Sequence, residues 1–290
     1  MGGELRFDDR VAIVTGGGGG LGRAYARLLA ARGAAVVVND IDRAGPDART
    51  PAAVVCDEIV KEGGTAIAFD ASIAEPGAGA GAVDAAIGAF GRVDIVVNNA
   101  GIVRDRSFAK MSEEELQAVL GVHLLGSFRL TQAAWPQLTG RQYGRVVMTT
   151  SVAGLFGNFG QANYSSAKAG LVGLGRTLAI EGARKNIKVN VVSPGAATSM
   201  TSAALPEEMR AAMSPDRVAQ LVGYLCHETC ATTGEIFFAA AGNFARNLII
   251  QTAGYKNPDA TVEDIAANLG RIMDTGDWTI PTEALALPDA

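Results

Sequence analysis

Short apolar runs recur along the chain: VAIVT at 11–15, AAVVVN at 34–39, TAIAF at 65–69, VDIVVN at 93–98, GRVVMT at 144–149 and IKVNVVS at 187–193. Most are rich in Val and Ile, and none alternates strictly between apolar and polar. A strand with one wet face alternates; a run that stays apolar suits a strand covered on both faces, as in a parallel sheet. Helical patterns lie between the runs. Residues 21–32 carry Leu21, Tyr25, Leu28 and Leu29 on one stripe. Residues 112–139 open on Ser112 with Glu115 three positions on, the pattern of a capping box, and residues 163–185 give another long helical segment. This alternation predicts an α/β chain: a single-domain Rossmann fold, a doubly wound parallel sheet with helices on both faces and right-handed crossovers. The polar stretch 41–53, with two Pro, reads as an excursion after the second strand, and the Gly- and Ala-rich stretch 75–82 as a loose helix start. No repeat or linker divides residues 1–290, which read as one domain. Thr261 with Asp264 marks a helix start in a C-terminal extension from about residue 255, expected to pack on the domain or on a partner subunit.

Composition narrows the setting. Of 290 residues 48% are hydrophobic, enough for a sizeable core, and the net charge is −5. A mildly acidic chain offers no electrostatic reason to bind nucleic acid or an anionic membrane. No run of 18 apolar residues occurs, the N-terminus lacks a basic-then-apolar signal, and the C-terminal ALPDA is not a peroxisomal SKL address. The three cysteines, Cys56, Cys226 and Cys230, are too few and odd in number for a disulfide framework. CHETC at 226–230 holds two Cys and one His, an incomplete metal set, so it reads as a buried helix end and no metal is expected. The expectation is a soluble protein of the cytoplasm.

Chemistry enters at the first strand, which runs into TGGGGGLG at 15–22 and then a helix. Glycines there allow a tight turn and close backbone approach, so a pyrophosphate can sit at the helix N-terminus. A flexible loop is the other reading of glycine alone. Asp40, closing the second strand, favours the dinucleotide: its carboxylate can accept hydrogen bonds from the adenosine ribose and repel a 2′-phosphate. Arg43 lies close in sequence and would act in the opposite sense. Further on, QANYSSAK at 161–168 holds Tyr164 and Lys168 one helical turn apart among small residues, after a hydroxyl cluster, Thr149, Thr150 and Ser151. A phenol titrates at about 10, and a nearby cation stabilises the phenolate. Lys168 is expected to supply that charge, Ser151 to hold the reacting oxygen and Tyr164 to take a hydroxyl proton. The reaction implied is hydride transfer between a secondary alcohol and NAD⁺. A surface pair, Tyr packed on a Lys stem, is the plainer alternative.

Together these stretches resemble the short-chain dehydrogenase/reductase family, which adds NNAG at 98–101, Asp70 after the third strand and SPG at 193–195. The resemblance implies NAD as cofactor, with Gly16, Gly20, Leu21 and Gly22 at the pyrophosphate, Asp70 and Ala71 at the adenine, and Asn99, Ala100 and Gly101 lining the cofactor. It also places Tyr164 and Lys168 beside the nicotinamide ribose, with Pro194, Gly195 and Thr198 (or Ser199) at the carboxamide. Where the family has an Asn that helps hold a water beside the Lys, in a VNLxG-like stretch, residues 122–126 read VHLLG; His123 joins the candidate catalytic set, able to hydrogen-bond such a water or to titrate near neutral pH. The chain is closer to one branch, the (3R)-hydroxyacyl-CoA dehydrogenase unit of the type 2 multifunctional β-oxidation enzyme (17β-hydroxysteroid dehydrogenase type 4). Stretches such as NNAGIVRDRSFAKMS at 98–112, GNFGQANYSSAK at 157–168 and LCHETC at 225–230 carry this likeness. It implies a free-standing dehydrogenase of a (3R)-3-hydroxyacyl-CoA, in a homodimer or homotetramer. A steroid or other small secondary alcohol is the alternative substrate, and a catalytically idle cofactor sensor the alternative class. Arg104 and Arg106 would meet CoA phosphates or form ordinary surface ion pairs. Residues 196–216 would form a mobile cover.

Overall fold

A computed structural model of the protein describes residues 3–41, 49–198 and 206–281. Arg43 and Ser199 therefore lie outside the described residues, as does part of the expected cover over 196–216. β1 (Val11–Thr15) passes through the glycine turn into α1 (Gly20–Ala31), and β2 (Ala35–Asn39), α2 (Pro51–Lys61), β3 (Thr65–Phe69), α3 (Ala78–Phe90) and β4 (Ile95–Asn98) follow. α4 (Glu113–Leu120) widens into a π-helical turn at Gly121–Leu125 and resumes as α5 (Gly126–Arg141). Then come β5 (Gly144–Thr149), the short α6 (Val152–Phe156), α7 (Ala162–Gly182), β6 (Ile187–Gly195), α8 (Glu207–Ala212), α9 (Pro215–Cys226), β7 (Ile236–Ala240) and β8 (Asn243–Asn247).

The strands form one sheet in the order β3-β2-β1-β4-β5-β6-β7-β8. Every pairing from β3 across to β7 is parallel, with Ala12 opposite Val36 and Ile95, and Val146 opposite Val96 and Val189. The order reverses between β1 and β4, so the crevice at their carboxyl ends is the expected ligand position. Ala12 and Val14 of β1 face one apolar core with Tyr25, Leu29, Val218 and Leu225. Val11 and Ile13 face the other with Ala82, Leu130 and Leu171. Both faces of the sheet are dry, which is why the strands read as continuous apolar runs.

Two expectations shift. The segment 41–53 is not all excursion: α2 starts at Pro51, where a missing N–H costs nothing, and the Thr50 hydroxyl caps the Ala53 amide at 3.2 Å. The single helix expected over 112–139 is interrupted by the π turn, although Ser112 and Glu115 form the expected capping box. The contacts divide the chain into two compact units, Met1–Arg246 and Asn247–Ala290. The second holds β9 (Gln251–Thr252) paired antiparallel with β10 (Trp278–Thr279), and the helices α10 (Val262–Ala267) and α11 (Leu269–Ile272). Thr261 and Asp264 form a capping box at the start of α10.

Candidate active site

The carboxyl ends of β1 to β6 bring the candidate residues into two groups. At the first, Gly16 is left-handed (φ 61°), and a Cβ there would lie 2.8 Å from Ala100 Cα. A Cβ on Gly22 would lie 2.1 Å from the Gly16 carbonyl oxygen, so only glycine lets α1 start against the turn. Leu21 is half-buried against the core. Gly19, the N-cap, makes no side-chain cap, and the first turn of α1 has no acid; a Cβ at Gly19 would meet nothing within 4 Å. A helix start with no side-chain cap, no acid in its first turn and open space beside Gly19 fits a pyrophosphate. Thr198 lies against this turn, its Cγ2 3.1 Å from where a Gly20 Cβ would stand.

The Asp40 carboxylate is fixed at the same turn. It accepts the Gly18 amide at 2.9 Å and the Ile41 amide at 2.8 Å. Asn39, buried just before it, donates from Nδ2 to the carbonyls of Phe69 (2.9 Å) and Ala71 (2.8 Å), which sets the bend that carries exposed Asp70 and half-buried Ala71. Thr15 Oγ1 accepts the amides of Asn99 and Ala100, both at 3.0 Å, while Asn99 Nδ2 donates to the Thr15 carbonyl at 3.0 Å. The NNAG segment is thereby stitched to the glycine turn. Sequence reasoning missed Thr15 and Asn39; an Asn closing an otherwise apolar strand was the available signal for the second.

The second group gathers around Tyr164. Ser151 caps α6, its side chain accepting the Ala153 amide at 3.2 Å. Lys168 is buried; its Nζ donates to the Thr149 carbonyl at 2.5 Å and lies 5.6 Å from the Tyr164 ring centre. The Thr150 hydroxyl donates to the Lys168 carbonyl at 2.7 Å, locking α7 onto the end of β5. Pro194 and Gly195 end β6 beyond the reach of β5, paired with Ala239 and Ala240, where the missing proline N–H disrupts no ladder to β5.

His123 sits in the π turn, a feature that often marks a functional site. Its ring packs edge-on against Tyr164 with centres 5.1 Å apart. Nε2 lies 2.8 Å from the Ile102 carbonyl oxygen and 3.0 Å from the Ile102 amide, one of which it uses according to tautomer; Nδ1 has no partner among the described residues. A Cβ at Gly101 would lie 2.4 Å from His123 Cε1, so glycine makes room for the ring.

The electrostatics bear on three of these groups. Burial raises the Tyr164 phenol above its ordinary value, Ser151 pulls it down, and Asp105 adds to the rise. Lys168 is itself pushed down to about 7 by burial. His123 falls to about 3, chiefly through burial and secondarily through the Lys168 charge, so it is neutral at neutral pH rather than titrating there. Arg106, one of the two candidate phosphate cations, is paired with Glu115 at 3.1 Å, and the exposed Arg104 donates to the Val103 carbonyl at 2.7 Å. His227 is occupied by Thr229 and the Arg6 carbonyl. Among the described residues no His/Cys/Asp/Glu group could hold a metal ion, and no helix is long and apolar enough to cross a membrane.

With this geometry in place, known proteins give a consistent comparison. The profile of the short chain dehydrogenase family matches residues 10–210. The peroxisomal multifunctional enzyme type 2 of Drosophila melanogaster is 52% identical over 243 residues, 83% of this chain and 40% of that protein. The peroxisomal hydratase-dehydrogenase-epimerase of Saccharomyces cerevisiae is 46% identical over 96% of this chain and 31% of its own length. The chain thus spans 31% to 40% of the length of these multifunctional relatives. A solved short chain dehydrogenase from Mycobacterium avium superposes with a TM-score of 0.82 at 38% identity, covering 93% of this chain and 98% of that one. The cytoplasmic placement expected from the sequence is overturned by these names: the multifunctional relatives are named as peroxisomal enzymes. Mild acidity and the lack of a long apolar run suit either compartment, so composition could not separate them. The turn at β1, the reversal of strand order beside it, the Ser-Tyr-Lys group and these matches agree: the chain belongs to the short-chain dehydrogenase family, and is an oxidoreductase of the kind that works with a nicotinamide dinucleotide.

Proposed function

We propose that this protein is an NAD-dependent dehydrogenase that oxidises a secondary alcohol to a ketone, with a (3R)-3-hydroxyacyl-CoA as substrate and the 3-oxoacyl-CoA as product. The observation that carries the reading is the convergence of Ser151, Tyr164 and Lys168 at the end of β5, across the crevice from the glycine turn of β1. The names of the multifunctional relatives, one of them a hydratase-dehydrogenase-epimerase, support the hydroxyacyl substrate.

A bound nicotinamide dinucleotide supplies the hydride acceptor. Gly16, Gly20, Leu21 and Gly22 would hold its pyrophosphate, Asp40 its adenosine ribose, Asp70 and Ala71 its adenine, and Asn99, Ala100 and Gly101 its flank. Lys168 and Tyr164 would hold the nicotinamide ribose, and Pro194, Gly195 and Thr198 the carboxamide. The fixed negative charge of Asp40 selects against a 2′-phosphate, hence NAD over NADP. Ser151 holds the substrate oxygen beside the phenol, Tyr164 accepts the hydroxyl proton, and neutral His123 braces the phenol ring. Lys168 favours the phenolate by its charge, which at neutral pH it holds only in part. The working form is a homodimer or homotetramer.

The test is NADH formation from a 3-hydroxyacyl-CoA by native protein and by Tyr164→Phe. The variant should lose about 10²–10⁴-fold in turnover, the size of a general acid/base contribution, with NADH binding nearly intact. Undiminished turnover would remove Tyr164 from the chemistry, and equal native rates with NADP would remove Asp40 from coenzyme choice.

A further inference from the structure

Asn163 immediately precedes the candidate base and is fully buried (0% exposed). Its Nδ2 donates to the carbonyls of Arg104 (3.0 Å) and Glu115 (3.3 Å), while its Oδ1 accepts the amide of Tyr164 at 2.7 Å. Both amide protons are used. The first turn of α7 needs such help, because Gln161 at its N-cap makes no side-chain cap, and a helix start leaves its first amides unpartnered. The tether does not reach a random part of the molecule. Arg104 lies two residues beyond Ile102, whose backbone holds the His123 ring, and that ring packs edge-on against Tyr164. The contacts close a circuit: Tyr164 amide, Asn163, Arg104, Ile102, His123, Tyr164 ring. A second set of bonds fastens the same two segments, Arg106 amide to Gly160 carbonyl at 2.8 Å and Gln161 Nε2 to Asp105 Oδ2 at 3.0 Å.

We infer that Asn163 is a positioning residue, which registers the Tyr164 phenol against Ser151 by tying the first turn of α7 to the segment leaving β4. The inference rests on the reading of Tyr164 as the proton acceptor. Asn163 touches neither the phenol oxygen nor Ser151; it acts through the Tyr164 backbone. Misplacing a reacting group by about an ångström costs on the order of 10²-fold.

The experiment compares Asn163→Ala and Asn163→Ser with the native protein and with Tyr164→Phe, on any substrate that the native protein turns over. Asn163→Ala should lower kcat by about 10–100-fold with the NADH dissociation constant unchanged within about twofold. Its pH–rate limb should move to higher pH as the phenol draws away from Ser151, which otherwise pulls it down. Asn163→Ser, which keeps one donor and one acceptor, should recover part of the loss, and it carries the same readouts should the Ala variant fail to fold. Native kcat in Asn163→Ala overturns the inference. So does a loss of kcat that is matched by loss of NADH binding, with the pH limb unmoved: that is general loosening. An active Tyr164→Phe would instead overturn the underlying reading, whatever Asn163 does.

Discussion

Lys168 is 3% exposed and its ammonium donates to the Thr149 carbonyl, with burial lowering its pKa from 10.5 to about 7. A depressed lysine in the folded state means that, between about pH 7 and 10.5, the unfolded chain binds the extra proton. Stability therefore rises with pH across that window, and the cost of burying the charge is fully present below about 7. Lys168→Met removes the charge and keeps much of the stem. It should abolish turnover and weaken cofactor binding, yet raise Tm at pH 6 by about 2–4 °C for each kcal/mol of burial cost relieved. The gain should shrink as pH climbs through the window. Thermal melts at several pH values check it; a variant less stable than the native protein throughout would mean that the bond to Thr149 outweighs the buried charge.

At the scale of elements, the bends after strands do as much as the strands. Asn39 shows this: one buried amide group spans the Phe69 and Ala71 carbonyls and so shapes the exit of β3. Asn39→Ala would strand two carbonyls, a loss of about 1–3 kcal/mol, and should weaken NADH binding through the displaced Asp70–Ala71 bend while leaving kcat at saturating cofactor close to native. Denaturant melts and an NADH titration check both parts; unchanged NADH affinity would detach that bend from the cofactor site. The parallel sheet was legible because dry faces on both sides leave continuous apolar runs, and the glycine turn because crowding at Gly16 and Gly22 excludes any side chain. Tyr164 and Lys168 were legible from their one-turn spacing. Asn39, Thr15 and Asn163 were not, because each acts on carbonyls or amides distant in sequence, and no local pattern marks such a partner. The π turn was equally hidden: nothing in GVHLL at Gly121–Leu125 sets a π turn apart from a continuing α-helix.

At the scale of the whole molecule, the proposed substrate poses an electrostatic problem. The chain carries a net charge of −5, whereas a CoA thioester is itself anionic, so recognition has to come from a local cation at the carboxyl edge of the sheet. Arg104 and Arg106 stand on the segment that leaves β4, but they are not equivalent. Arg106 is committed to Glu115 at 3.1 Å, inside the network that braces α4. Arg104 is exposed, its guanidinium resting on the neighbouring Val103 carbonyl at 2.7 Å, and it can turn to a phosphate without breaking an ion pair with Glu115. One charged hydrogen bond is worth about 1.5–3 kcal/mol, or roughly tenfold and upward in kcat/KM. Native protein should therefore prefer a (3R)-3-hydroxyacyl-CoA to the same acid without CoA. Arg104→Ala should lower kcat/KM for the thioester about tenfold while leaving the free acid unchanged. Arg106→Ala should affect both substrates alike, since it loosens the brace rather than a phosphate contact. Equal native kcat/KM for thioester and acid, or a clear preference for a free steroid alcohol, would move the assignment to a dehydrogenase of small secondary alcohols with the same Ser151, Tyr164 and Lys168 chemistry.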